Sequence, residues 1–537
     1  MLRHLTALVA LSALCLGVVA VPTPPAFAYE PHVLRYTDGL DVSSLNPFFA
    51  SSGNAVALNE LTGAEFTRID AKGNSIPELI TVIPTTANGG ISADGRTITW
   101  HLRRGVKWSD GAPFDAADVT YSVSVAKNEQ NNLFVHDPWE RLIGADAPDK
   151  YTVRFHLKET YATFVADYFS TQSNSVILPK HILGPGTLIN EAPYNGLPVG
   201  IGPFRYVAYH RGDNVEMEAN PYYWRGQPKL KRIIYKIVPD QNTQMTQLQT
   251  GEIDLWDLIN GTVAERARAL PGKSSATRPS NFMSGIYFNV KHPQLSDSAV
   301  RRALRLATDR TTVFDKVVLR NGTLVESVVP QISRNYLALP LTPYDPAQGA
   351  KLLDGAGWKV GPDGIRHKDG IALALDVAIP SGYAPSATLA AILEGDWRKL
   401  GVDVTIHTWS TSQYFAIYSA GGILQTGKFD VALFSQSSGP VFSNINGIYD
   451  CAGAPPHGSN VNRYCNSKVD ALNDRYLHSY DAKQQRDAAD AFQRLIDNDA
   501  PTVVLYERAF LAVFDNRLTG YHPHGFSYWG DPMQLDI

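Results

Sequence analysis

The chain alternates between two hydrophobic periods along most of its length, and that alternation restricts its fold more than any other feature. Apolar and polar residues take turns in Thr97-Ile98-Thr99-Trp100-His101-Leu102, in Arg232-Ile233-Ile234-Tyr235-Lys236-Ile237, in 373–377 and in 402–406, the period of strands with one buried face. Helical patterns lie elsewhere: 298–318 carries Val300, Leu304, Ala307 and Val313 on one face, and 482–496 carries Ala488, Ala491, Phe492 and Leu495. Strands and helices interleaved through 537 residues predict an α/β architecture with several lobes, and a 44% hydrophobic fraction supplies cores for them. Glycine and proline cluster at 196–203 (GLPVGIGP) and at 335–346, which read as turns or crossovers. There is no tandem repeat, and no segment after residue 28 is apolar for long enough to span a bilayer.

The first 28 residues read as a secretory signal, with Arg3, an apolar run from Leu5 to Val21, and Ala26-Phe27-Ala28 as a small-x-small cleavage site before Tyr29. Cys15 sits in mid-run behind Leu14, not at a lipid-acceptor position, so a free, exported protein is expected. The net charge of −4 becomes one unit more negative when Arg3 is removed, which argues against a nucleic-acid partner. Cleavage leaves Cys451 and Cys465, an even pair in an exported chain, and predicts one disulfide closing the Gly- and Pro-rich loop CAGAPPHGSNVNRYC. A metal site is the alternative, but two cysteines around a single His457 make an incomplete ligand set.

The stretch GVKWSDGAPFDAADVTYSV (105–123) gathers three Asp residues, which a catalytic reading would use as paired carboxylates. Local geometry gives each a structural task instead. Asp110 makes a turn completed by Gly111, Asp115 caps a helix, and Asp118 reaches back in a capping box, with Phe114 and Val119 as a hydrophobic staple. Elsewhere there is no G-x-S-x-G elbow and no H-E-x-x-H helix, and Pro271-Gly272-Lys273-Ser274 lacks the opening glycine of a phosphate loop. His522-Pro523-His524 reads as a surface turn, with help in holding a metal chelate as the alternative.

Several segments in order resemble the family 5 extracellular solute-binding proteins, the peptide, dipeptide and nickel binders of ABC importers. They are Leu45-Asn46-Pro47, the 105–123 stretch, PVGIGPFRYVAYHRGD with NPYYWRGQPKLKRI, GEIDLWD, FNVKHPQLSDSAVRRALRLATDR, LLDGAGW and DNDAPTVVLYE. The resemblance implies a two-lobed periplasmic-binding-protein-like fold (type II, cluster C) that closes on a ligand at a hinge. Lobe I would comprise 29–75, 196–286 and a return at 508–537, with an extra subdomain at 76–195; lobe II would run 287–507. Chain crossings are expected at Tyr287-Phe288-Asn289 and at Leu505-Tyr506-Glu507. The protein would be a periplasmic monomer without a cofactor, handing a small solute to permease subunits.

Carried over, the ligand contacts are Ser51, Ser52, Gly53 and Asn54 on one side and Phe434, Ser435, Gln436, Ser437, Ser438 and Gly439 on the other, with Phe288, Asn289, Trp409 and Tyr506 at the cleft. Peptide binders of the family carry an acid in the second segment that pairs with the peptide's amino terminus. Here Gln436 and Gly439 stand at the aligned positions, with Asp450 the nearest acid. An ammonium buried without a countercharge is costly, which favours a neutral, hydroxyl- or amide-rich ligand over a generic peptide. Ser and Gln both donate and accept, and Trp409, Phe434 and Phe442 offer stacking faces.

Overall fold

Two unusually long strands, Lys273–Phe288 and Thr502–Asp515, organise the molecule. The structure, a computed structural model, describes residues 29–537 apart from 43, 50–52, 64, 134–136, 172, 174, 187, 260–262, 382–383, 438–441 and 443–446. The signal segment and its cleavage site therefore lie outside the described residues.

The eleven strands of the main sheet are β1 (Val33–Thr37), β2 (Phe204–His210), β3 (Asn214–Ala219), β4 (Arg232–Lys236), β5 (Leu255–Ile259), β6 (Lys273–Phe288), β7 (Gly322–Thr323), β8 (Ala374–Pro380), β9 (Asp403–Trp409), β10 (Val431–Ser437) and β11 (Thr502–Asp515). The helices used below are α1 (Gly53–Thr62), α2 (Ala116–Ala126), α3 (Ser298–Leu306), α4 (Arg310–Lys316), α5 (Ala384–Arg398), α6 (Ser467–Leu477) and α7 (Ala482–Asp499).

The sheet runs β9-β8-β10-β6-β11-β5-β1-β4-β3-β2, with β7 on β11. On one side β8, β9 and β10 are mutually parallel and cover their faces with helices, as parallel sheets must. The core there joins Ile286, Phe288, Val300, Leu304, Leu393, Trp397 and Val431. On the other side, β11 continues into β5, β1 and β4, over a core of Leu34, Tyr36, Phe204, Tyr235 and Trp529. The two-lobed α/β fold is thus built around one shared strand pair.

The register of β6 and β11 breaks at the middle. Pro279 pairs with Ala509 but Met283 with Glu507, so β6 carries extra residues there, and a second irregularity follows between Ser284 and Gly285. Bulges of this kind bend a sheet and raise its twist locally. The turning point on β11 falls beside the expected Leu505–Glu507 crossing, whereas on β6 it precedes Tyr287-Phe288-Asn289.

The strands expected at 97–102, 232–237, 373–377 and 402–406 form as Thr97–His101, β4, β8 and β9. Helix 482–496 forms as α7, capped by Asp481 accepting from the Gln484 N–H. One expectation needs correction: 298–318 is two helices. Ala307 closes α3, and Asp309 then accepts the Thr312 N–H at 3.0 Å and starts α4, so a competing cap breaks a continuous apolar face.

The 105–123 stretch folds as expected. Gly111 has φ +91°, its N–H reaches the Trp108 carbonyl, and Asp115 and Asp118 form the reciprocal box at the start of α2. Burial raises the Asp118 carboxyl, opposed by N–H donors from Asp115 and Lys180 and by the Trp108 indole. Asp115→Ala is expected to cost about 1 kcal/mol in urea unfolding and to leave ligand affinity unchanged.

Gly200 marks a close approach: a Cβ there would lie 1.7 Å from the Thr62 carbonyl oxygen at the end of α1. That contact explains why the GLPVGIGP crossover is glycine-rich. The three-stranded sheet at Thr97–His101, Leu142–Asp149 and Thr152–Leu157 shares a core with α6 and α7, where Phe66, Trp100 and Phe155 join Tyr476 and Phe492. Cys451 and Cys465 are bonded, with Sγ atoms 2.05 Å apart. Among the described residues no helix is long and apolar enough to cross a membrane.

Candidate ligand-binding cleft

The parallel strands β8, β9 and β10 all end toward the same side, and in open α/β sheets ligands bind outside such carboxyl ends. A cleft of about 210 Å³ opens there. Its floor is Phe282, Ser284 and Gly285 of β6, Leu433, Phe434 and Ser435 of β10, and Tyr506 and Arg508 of β11. Its walls come from Pro380 at the end of β8, from Pro385, Ser386 and Leu389 of α5, and from Thr411, Phe415 and Val317.

Alternation along the strands decides which side chains face the cleft. On β11, Tyr506, Arg508 and Phe510 share one face while Glu507 turns to the other, where it is 1% exposed. Burial pushes the Glu507 carboxyl up to about 7, and it accepts the Gln331 N–H at 3.0 Å. On β10, Phe434 stacks on Tyr287 with ring centroids 4.0 Å apart and meets Phe415 edge-on at 6.4 Å. Ser435 Oγ lies 2.5 Å from Ser284 Oγ across the β6–β10 pair.

Of the residues expected at the site, the structure gathers Phe434, Ser435 and Tyr506 on the cleft floor. Trp409 ends β9 opposite Pro380, and its buried indole Nε1 has no hydrogen-bond partner among the described residues. Gln436 Oε1 is likewise buried without such a partner. Ser437 accepts from the Asn281 amide at 3.0 Å. Ser51, Ser52, Ser438 and Gly439 lie outside the described residues. Gly53 opens α1 and packs so closely on Tyr528 that a Cβ would sit 2.6 Å from its hydroxyl.

Three others are engaged inside the protein. Asn54 is fully buried and donates to the Asp41 carbonyl at 3.0 Å and the Tyr235 hydroxyl at 3.2 Å. Asn289 donates to the Phe429 and Gly427 carbonyls, and Phe288 belongs to the core under the parallel strands. Phe442 is also wholly buried, between Tyr476 and Phe492. Asp450 does not line the cleft and accepts the Gly453 N–H. His524 and Ser527 close a tight turn, consistent with the turn reading of His522-Pro523-His524.

Sequence reasoning missed Phe282, Ser284, Phe415 and Arg508. One signal was present: Glu507-Arg508 interrupts an otherwise apolar run, VVLYERAFLAVF, and strand alternation sends one of the two to each face.

Residues 81–454 match the profile of the bacterial extracellular solute-binding proteins, family 5, middle region. Protein XP55 of Streptomyces lividans is 28% identical over 435 residues, covering 80% of this chain and 76% of that protein. The oligopeptide-binding protein AppA of Bacillus subtilis is 26% identical over 502 residues, covering 89% of this chain and 87% of its own. Its structure with a nonapeptide superposes with a TM-score of 0.76 at 23% identity, covering 94% of this chain and 98% of that one. NikZ of Campylobacter jejuni, solved with Ni(L-His), gives a TM-score of 0.78 at 22% identity and covers 95% and 100%. These two structures show the shared fold, and the profile match shows the lineage: the chain belongs to the family 5 extracellular solute-binding proteins.

Proposed function

We propose that the chain is the extracytoplasmic capture component of an ABC importer, exported by a signal cleaved after Ala28 and acting as a monomer in the periplasm. It holds a small solute between its lobes by hinge closure and presents it to the permease. One observation carries this reading: the floor of the cleft includes the strand pair β6 and β11, whose register break at 279–283 against 507–509 lies where the two halves of the sheet join. A solute resting on that floor is sensitive to the angle between the halves, so it closes the hinge by its differential affinity for the closed form.

The division into lobe I (29–75, 196–286, 508–537), its subdomain (76–195) and lobe II (287–507) belongs to this proposal. The contact residues are taken as Phe434, Ser435 and Tyr506, with Trp409 and Gln436 at the margin. Capture as proposed requires no chemistry. Among the described residues there is no cluster of three or more His, Cys, Asp or Glu that could hold a metal.

Incubation with candidate solutes separates capture from hydrolysis. Saturable stabilisation with the solute recovered intact is the expected outcome, about 2.7 kcal/mol at a hundredfold excess over Kd; turnover would sink it.

A further inference from the structure

Among the described residues lining the cleft, Arg508 is the only charged one. Its guanidinium lies 5.8 Å from the Phe282 ring centroid and 5.7 Å from that of Phe510. No Asp or Glu among the described residues comes within ion-pair distance of it. The undescribed segments next in sequence to cleft residues (50–52, 382–383, 438–441 and 443–446) contain no acid at all. Its neighbour Glu507 is turned to the opposite face and bonded to Gln331, so it supplies no countercharge.

An arginine held against aromatic faces is pre-oriented and weakly hydrated, the condition in which a bidentate pair with a carboxylate gains most. The rest of the described lining is uncharged, with Phe282, Leu389, Phe415 and Phe434 among its apolar members and Ser, Thr and Tyr hydroxyls among its polar ones. A free ammonium placed there would meet a cation and no anion, which costs affinity.

Resting on the capture reading, we propose that the solute is a carboxylate with an apolar body and no obligatory ammonium, and that Arg508 is the residue that selects it. Serines 284 and 435, 2.5 Å apart at Oγ, supply hydroxyls to the same floor. This revises the expectation of a neutral ligand: the absence of an acid beside Gln436 stands, but the cleft carries a cation the sequence did not place there. The carboxylate belongs either to a peptide's carboxyl terminus or to a non-peptide acid.

The test uses the full mature chain and matched probes. One set is the dipeptide Leu-Phe in its free, N-acetylated, C-amidated and doubly capped forms; the other is 4-phenylbutyrate and its amide. Binding is read by titration calorimetry on wild type, Arg508→Gln and Arg508→Lys, with the melting temperature of each unliganded protein as the folding control. Acetylation should leave wild-type affinity intact, and amidation should weaken it about ten- to a hundredfold. Arg508→Gln should erase that gap at an unchanged melting temperature, and Arg508→Lys should restore part of it.

Binding confined to the dipeptide set assigns the carboxylate to peptides, and binding by 4-phenylbutyrate assigns it to free acids; both support the proposal. Amides binding as tightly as acids, or a gap that persists in Arg508→Gln, overturn it and leave capture standing. Should no probe bind wild type, the ligand class is wrong. Mass spectrometry of solute released on denaturation then judges capture independently, since a neutral or cationic solute found there preserves capture and refutes the anionic class.

Discussion

Replacing Arg278 by alanine is expected to lower the unfolding free energy by about 3–5 kcal/mol, the largest single-residue loss anticipated in this protein. Arg278 on β6 reaches over Phe510 of β11, 4.6 Å from its ring centroid, to bond Asp257 of β5 at 3.1 Å. The two side chains are 5% and 8% exposed. Tyr528 lies 4.1 Å beneath the same guanidinium. Three adjacent strands and the C-terminal segment are thereby tied at one charge, just beyond the register break. Removing the arginine leaves Asp257 buried beside the aromatic rings without its partner, and that uncompensated carboxylate is the source of the loss. Urea unfolding checks it: the midpoint should fall with little change in slope. The double variant Arg278→Met, Asp257→Asn should recover much of the stability, because the desolvated charges leave together. A single variant within about 1 kcal/mol of wild type would show that the pair is solvated in solution. Since Phe510 also meets Arg508, weaker ligand binding should accompany the stability loss.

The second large effect is a dependence on pH. Glu65 is 5% exposed and packed near Glu60 and Glu78; burial, then those two charges, push its carboxyl up to about 8, against the hydrogen bond from Asn59 and the positive charge of Arg68. Glu507 rises to about 7 through burial. An acid whose folded pKa exceeds its unfolded value keeps a proton in the native state that the unfolded chain has released. Stability therefore falls as pH rises from about 4.5 toward about 8, the reverse of a salt-bridged carboxylate. Every tenfold difference in proton affinity between the folded and unfolded states is worth about 1.4 kcal/mol, so Glu65 alone accounts for a loss on the order of 3–5 kcal/mol across that window. Chemical denaturation at a series of pH values should show the decline, and Glu65→Gln, which cannot ionise, should flatten it. A variant that keeps the full wild-type slope would place the titrating group elsewhere.

Local features were legible in the sequence because their physics is local. The turn at Asp110-Gly111, the cap at Asp115 and the box with Asp118 depend on residues within a few positions of each other, and each forms as read. The split of 298–318 was readable in principle, since Asp309 is a cap in waiting, but the apolar face runs through it and masked the break. Ordered motifs carried the family, and with it the fold, although none of them alone fixes a topology.

The cleft was only half legible. Of the residues the resemblance suggested, Phe434, Ser435 and Tyr506 line the cleft, while Asn54, Phe288 and Asn289 bond and pack within the protein, because a polar or aromatic letter does not say which way its side chain faces. The sequence by itself determined an α/β chain of a known family, its caps, its disulfide and the strand alternation of β11. Only the tertiary structure decided that residues some 230 positions apart, Phe282 and Arg508, share one face of the β6–β11 pair. It also decided that Asp257 is matched to Arg278, leaving Arg508 without an acid among the described residues. Charge pairing is a property of distances across strands, and those distances exist only once β6 and β11 have found their broken register.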